Sequence, residues 1–137
     1  MNSVAVICDP RSPEASAVQV YLGKRGVKDP AWYDPRDADE VEQAIRAGQV
    51  RRVVFPQTVD FLRLLWDEVL TPEVWQAPGL HVEFAGEDAA FSPAQIAGIL
   101  AAWETWRHRR RQRRAIAGLI LSAVAIAAAW TLVALAR

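Results

Sequence analysis

The chain has 137 residues, 52% of them hydrophobic and 23% charged, with a single cysteine and a formal net charge of zero. Those values exclude a disordered tail, a collagen-like repeat and a disulfide-stapled miniprotein, and they allow one domain of ordinary size. The zero hides a division. Residues 1–106 carry 16 Asp and Glu against nine Lys and Arg, a balance of −7, whereas residues 107–137 carry seven Arg and no acid, a balance of +7.

In chain order, Ser3–Asp9 (SVAVICD) is a short apolar, β-branched run closed by Pro10, the pattern of a strand buried on both faces. Ser12 and Pro13 then read as N-cap and first helical position. Glu14 sits in the first turn, and Ala17, Val18, Tyr21 and Leu22 form an apolar stripe that Gly26 stops. Val27–Tyr33 is a poorer strand, because Pro30 restricts it to a sheet edge or to a few residues. Asp37 with Glu40 resembles a capping box for a helix with Val41, Ala44 and Ile45 on one face, ending at Gly48. Arg51–Pro56 (RRVVFP) is a second firm strand, after which Thr58 is expected to cap a helix whose apolar residues run from Phe61 to Leu70. Thr71-Pro72 opens a short turn, Leu80–Ala85 alternates as a strand, and Ser92-Pro93 starts the last helix with Ile96, Ile99, Leu100 and Trp103 on one side.

The order β-α-β-α-β-α-β-α predicts an α/β domain with a small, mostly parallel, four-stranded sheet and flanking helices. Any ligand site is expected at the carboxyl ends of the strands: Asp9–Ser12, Asp34–Arg36, Pro56–Thr58 and Gly86–Asp88. No Pro or turn signal separates the last helix from the apolar run at the C-terminus, so it is expected to continue into a single transmembrane helix. The organisation expected is a cytoplasmic domain over residues 1–91, a long basic helix over 92–114 and a membrane anchor over 115–136.

That anchor, Ala115–Ala136, is 22 residues without a formal charge. As a helix it spans about 33 Å against a hydrocarbon core of about 30 Å. A buried core helix can also be apolar all round, but a soluble part of this size cannot wrap such a length on every face. Six arginines stand just before it, Arg107, Arg109, Arg110, Arg111, Arg113 and Arg114, and only Arg137 comes after it. The positive-inside bias then places the N-terminal domain in the cytoplasm, and the protein reads as tail-anchored. Met1–Cys8 shows no signal-peptide pattern. Gly118 and Ser122, four apart, are the candidate residues for close helix packing in the membrane. Trp103 is expected to be packed and Trp106 to touch lipid or a partner.

Motifs for catalysis are sparse. There is no Gly-rich phosphate loop, and His81 and His108 are too isolated to bind a metal with Cys8, so neither metal nor cofactor is expected. A phospho-acceptor receiver domain is suggested by Asp9 after the first strand, but Pro56-Gln57 stands where its key aspartate belongs.

Residues 3 to about 114 resemble the catalytic domain of serine recombinases, the resolvase/invertase family. The resemblance rests on VAVICDPRS, RDADEVEQAIRAGQVRRVVF, VDFLRLL, HVEF and the final ILAAWETWRHRRRQRR, in which an alanine-rich segment passes into a glutamate and a run of arginines. It implies a serine nucleophile preceded two residues earlier by an arginine, but Ser12 has Pro10 there, and the register set on Gln19 puts Pro10 and Cys8 at the two positions. It also implies a lysine and an Asp-Arg pair followed by a further arginine near the third strand's end. This chain reads Gln57-Thr58-Val59-Asp60-Phe61-Leu62-Arg63, so only Arg63 matches, with Arg36 as the counterpart of the arginine opening the second helix. Ser12, Arg36 and Arg63 are therefore vestigial candidates, and the catalytic set is depleted.

The anchor stands where the family usually carries its DNA-binding module. The function expected is a non-enzymatic, membrane-anchored, resolvase-like interaction and oligomerisation module on the cytoplasmic face of a bacterial inner membrane. Its expected partners are the bilayer, whose anionic lipids the six arginines would contact, and a second copy through the long helix and the anchor. The alternative is a membrane-tethered DNA-binding protein in which the same arginines grip phosphates, opposed by the −7 domain. An active serine recombinase using Ser12 is the third reading.

Overall fold

A computed structural model describes residues 3–136; Met1, Asn2 and Arg137, the last being the one charge beyond the apolar run, lie outside the described residues. The strands are β1 (Val4–Ile7), β2 (Ala31–Tyr33), β3 (Arg52–Phe55), β4 (His81–Phe84) and β5 (Ala89–Phe91). The helices are α1 (Glu14–Lys24), α2 (Ala38–Arg46), α3 (Thr58–Trp66) and α4 (Pro93–Leu135). The strand order is β2-β1-β3-β4-β5. The first four strands are parallel and β5 runs antiparallel to β4. The sheet is thus five-stranded and mixed, which corrects the expected four-stranded, mostly parallel one. The extra strand pairs Phe84 with Ala89 and Val82 with Phe91. It escapes a reading of pattern because two of its three residues are alanines, and its turn is made by a 3-10 segment, Ala85–Glu87, followed by Asp88 in the left-handed region at φ 47°.

β1 is buried on both faces, as its unbroken apolar run requires. On one face Val4, Val6, Cys8 and Val54 pack with Ala15, Val18, Tyr21 and Leu22 of α1. An aromatic cluster gathers Phe55, Phe61, Trp75, Phe84 and Phe91, with ring centroids 5.0–6.1 Å apart. β2 is a three-residue edge strand after Pro30, as expected. α3 stops at Trp66, short of the expected Leu70, because Glu68 takes the left-handed conformation (φ 58°) that usually marks a glycine after a helix. Leu62, Trp66 and Val69 are exposed, while Phe61, Leu65 and Leu70 are buried.

Two carboxylates lie inside the domain. Glu42 accepts from the Thr71 amide at 2.8 Å and from Trp75 Nε1 at 3.1 Å, fixing the segment after α3. Glu83 on β4 accepts from Tyr21 Oη at 2.7 Å and from Nε and Nη2 of Arg52, at 2.7 and 3.1 Å. Burial pushes the Glu83 carboxyl up, but the hydrogen bonds from Arg52 and Tyr21 outweigh it and hold the group below the ordinary carboxylate value of 4.5. The Tyr21 phenol is pushed up to about 12 by burial and by its bond to Glu83.

These shifts set a pH window. A carboxyl depressed in the folded state stabilises fully above its unfolded value and is lost as pH falls through the folded one. A phenol raised in the folded state stabilises below its ordinary 10 and is lost as pH rises toward 12. The buried Cys8 thiol is likewise raised from its ordinary 9.0, so melting temperature measured from pH 3 to 12 is expected to plateau between about 4.5 and 9. Tyr21→Phe should remove this group's share of the alkaline decline; a wild-type-like decline in that variant would refute the assignment.

The chain forms two compact units, Met1–Ile99 and Leu100–Arg137. α4 begins in a capping box in which Ser92 Oγ accepts from the Gln95 amide and Gln95 Oε1 accepts from the Ser92 amide. It then continues without a break to Leu135, as expected. α4 is long and apolar enough to cross a membrane, and none of its apolar stretch is buried within the chain.

Candidate functional site

A cleft of about 210 Å³ opens at the carboxyl ends of β1 and β3, where the strand order reverses. Cys8, Asp9, Ser12 and Glu14 line one side, Pro35 enters from the turn after β2, and Phe55, Pro56, Asp60, Arg63 and Leu64 close the other. Of the three candidates implied by the recombinase resemblance, Ser12 and Arg63 therefore share one cleft. Arg36 does not line it. Its Nε lies 3.2 Å from Asp34 Oδ1, and its side chain is 89% exposed. Asp34 is held below its ordinary value by the Arg36 amide and then by the Arg36 side chain, so this arginine serves its own turn.

Asp9, Ser12 and Asp60 are engaged by the local backbone. Asp9 Oδ1 accepts from the Arg11 amide at 2.9 Å. Ser12 Oγ donates to the Asp9 carbonyl at 2.8 Å, so its hydroxyl closes a turn instead of capping α1, whose N-cap is Pro13. Asp60 Oδ2 accepts from the Gln57 amide at 3.0 Å. Cys8 Sγ lies 3.5 Å from Ser12 Oγ, and burial pushes its thiol above the ordinary value, away from the nucleophilic thiolate. Three acids and one arginine line the cleft, which opposes the approach of a phosphodiester. No histidine or lysine stands beside Ser12 among the lining residues to take its proton. Among the described residues, no group of three or more His, Cys, Asp or Glu is placed to hold a metal ion.

The fourth strand end braces this region. Gly86 donates its amide to the Pro56 carbonyl at 2.7 Å, so close that a Cβ there would lie 2.9 Å from the same oxygen. Glu87 accepts from both the hydroxyl and the amide of Thr58, and those bonds hold its carboxyl below the ordinary range. Thr58 therefore receives a cap from the β4–β5 turn instead of supplying one. Cys8 and Asp9, which directly follow β1, could be placed near the site from the strand end alone. Glu14, Asp60 and Leu64 could not, because their approach depends on how α1 and α3 lie over the sheet.

The second candidate surface is on α4. All six predicted arginines, Arg107, Arg109, Arg110, Arg111, Arg113 and Arg114, stand on one helix directly before the apolar run. The Arg107 guanidinium lies over the Trp103 ring at 5.1 Å and that of Arg110 over Trp106 at 5.2 Å. Within the apolar run Ser122 Oγ donates to the Gly118 carbonyl at 2.9 Å and Thr131 Oγ1 to that of Ala127 at 2.8 Å. Both hydroxyls are thereby satisfied inside their own helix, as a hydrocarbon environment demands.

The chain matches no protein-family model, no curated protein and no solved structure.

Proposed function

We propose that the protein is a membrane-anchored, non-catalytic, resolvase-like interaction module on the cytoplasmic face of a bacterial inner membrane, where it associates with copies of itself. The observation that carries this reading is the continuity of α4, in which the helix that starts at Ser92-Pro93 is also the helix long and apolar enough to cross a bilayer. The arginines before the apolar run support the cytoplasmic orientation. The cleft supports the non-catalytic part: its serine and both lining aspartates are committed to turn and cap bonds, and its charge opposes a phosphate substrate. The resolvase-like part rests on the sequence resemblance, to which the passage of an alanine-rich helix into an arginine run is common.

Crosslinking of the full chain in native membranes at several expression levels tests self-association. A crosslinked dimer is expected at every level, and its loss on replacing Gly118 and Ser122 with leucine would place the contact in the membrane. A strictly monomeric result removes the association. The second reading, a tethered DNA-binding protein, is favoured only by the exposed arginines of α4. It requires a salt-dependent gel shift by the solubilised full chain that Arg→Gln variants abolish.

A further inference from the structure

We infer that the arginines of α4 act at two depths: an inner pair, Arg113 and Arg114, binds the phosphates of anionic lipid headgroups, while Arg107 and Arg110 are held away from the membrane on tryptophan faces. This rests on the membrane-anchored reading and assigns the lipid class that the anchor's collar takes.

Depth comes first. α4 is continuous across the boundary between Arg114 and Ala115, so each residue rises about 1.5 Å from it. With the helix along the bilayer normal, Arg113 and Arg114 begin within about half a turn of the hydrocarbon, at the base of a headgroup layer roughly 5–8 Å thick. Arg107 and Arg110 start farther out. Side chains on a helix lean toward its N-terminus, here away from the bilayer, and the rings at Trp103 and Trp106 draw these two guanidiniums further in that direction.

Circumference comes second. At about 100° per residue, the adjacent Arg113 and Arg114 leave the helix about 100° apart, in two different directions. The two guanidiniums of the inner pair can thus each reach a different headgroup. A guanidinium offers a planar fork of N–H donors that matches a phosphate bidentately. The satisfied hydroxyls of Ser122 and Thr131 leave the arginines as the part of this helix suited to select a lipid by charge.

The test uses the full chain reconstituted into phosphatidylcholine nanodiscs with spin-labelled phosphatidylglycerol or spin-labelled phosphatidylcholine as the probe. The immobilised fraction gives a relative association ratio. The wild-type ratio is expected to be about fivefold in favour of phosphatidylglycerol, the value that one arginine contact of about 1 kcal/mol yields. Arg113→Gln with Arg114→Gln is expected to bring it below about twofold, whereas Arg107→Gln with Arg110→Gln, which removes the same charge, should leave it near fivefold. A wild-type ratio of one, or equal losses in the two double variants, overturns the inference. A duplex oligonucleotide that displaces the anionic lipid from the wild-type chain also overturns it, in favour of a nucleic-acid role. Failure of the wild-type chain to enter the nanodisc would instead bring down the membrane-anchored reading itself.

Discussion

Phe55→Ala is expected to lower the free energy of unfolding by about 3–5 kcal/mol, a large part of the roughly 5–15 kcal/mol that a domain of this size holds. Phe55 is fully buried on β3, and its ring centroid lies 5.3 Å from Phe61, 5.6 Å from Trp75 and 6.0 Å from Phe84. Removing it opens a void shared by β3, β4, α3 and the 3-10 segment at Val74–Gln76, and the flat neighbouring rings cannot close the gap without leaving their own contacts. Phe55→Leu keeps most of the volume and is expected to cost about 1–2 kcal/mol. Urea titration of the full chain in detergent, followed by tryptophan fluorescence, measures both. A loss below about 1 kcal/mol for the alanine variant would show that the cluster is not the cohesive centre of the domain.

The second large effect concerns the apolar stretch of α4 as a membrane span. Ala115–Ala136 contains nine large aliphatic residues and nine alanines, so its apolarity is sufficient without being generous. At about −0.3 to −0.6 kcal/mol each near the helix centre, the large residues supply an insertion free energy on the order of −3 to −5 kcal/mol. One arginine at the centre costs about 2.5–3.5 kcal/mol on the same scale. Ala125→Arg is therefore expected to leave insertion nearly balanced, and the double variant Ala125→Arg, Ala128→Arg to abolish it. Alkaline carbonate extraction of membranes reads this directly: wild-type in the pellet, the single variant divided, the double variant in the supernatant. A double variant that stays in the pellet would mean that something other than this helix holds the protein there.

The firm parts of the fold were those in which local pattern and tertiary placement agree. SVAVICD is apolar throughout because β1 is central and covered on both faces, and Pro30 shortens β2 at the edge. β5 was not legible, since Ala89-Ala90-Phe91 owes its strand conformation to pairing with β4 and not to its own residues. The end of α3 was hidden because Glu68 fills a position where glycine is the usual signal. The Arg52–Glu83–Tyr21 cluster joins positions far apart in sequence and needs the parallel register of β3 on β4 to become visible.

The cleft's location could be read from strand ends, and its chemistry could not. Whether Ser12 is nucleophile, cap or turn depends on the direction of one hydroxyl, and the structure turns it to the Asp9 carbonyl. Arg36 was separated from Ser12 and Arg63 by an aspartate two residues before it, a competition that spacing alone does not rank.

Both margins of the sheet are three residues long: β2 directly after Pro30, and β5 behind the Asp88 turn. Such margins offer few unpaired amides and carbonyls, so they are poor templates for adding a strand from another chain. That matters most for a protein confined to a surface, where tethering raises the encounter rate of every copy with its neighbours. Crowding of this kind punishes an open sheet with runaway edge-to-edge growth. In the self-associating protein proposed above, contacts between copies would thus be steered to helices and side chains, where they can be finite and reversible.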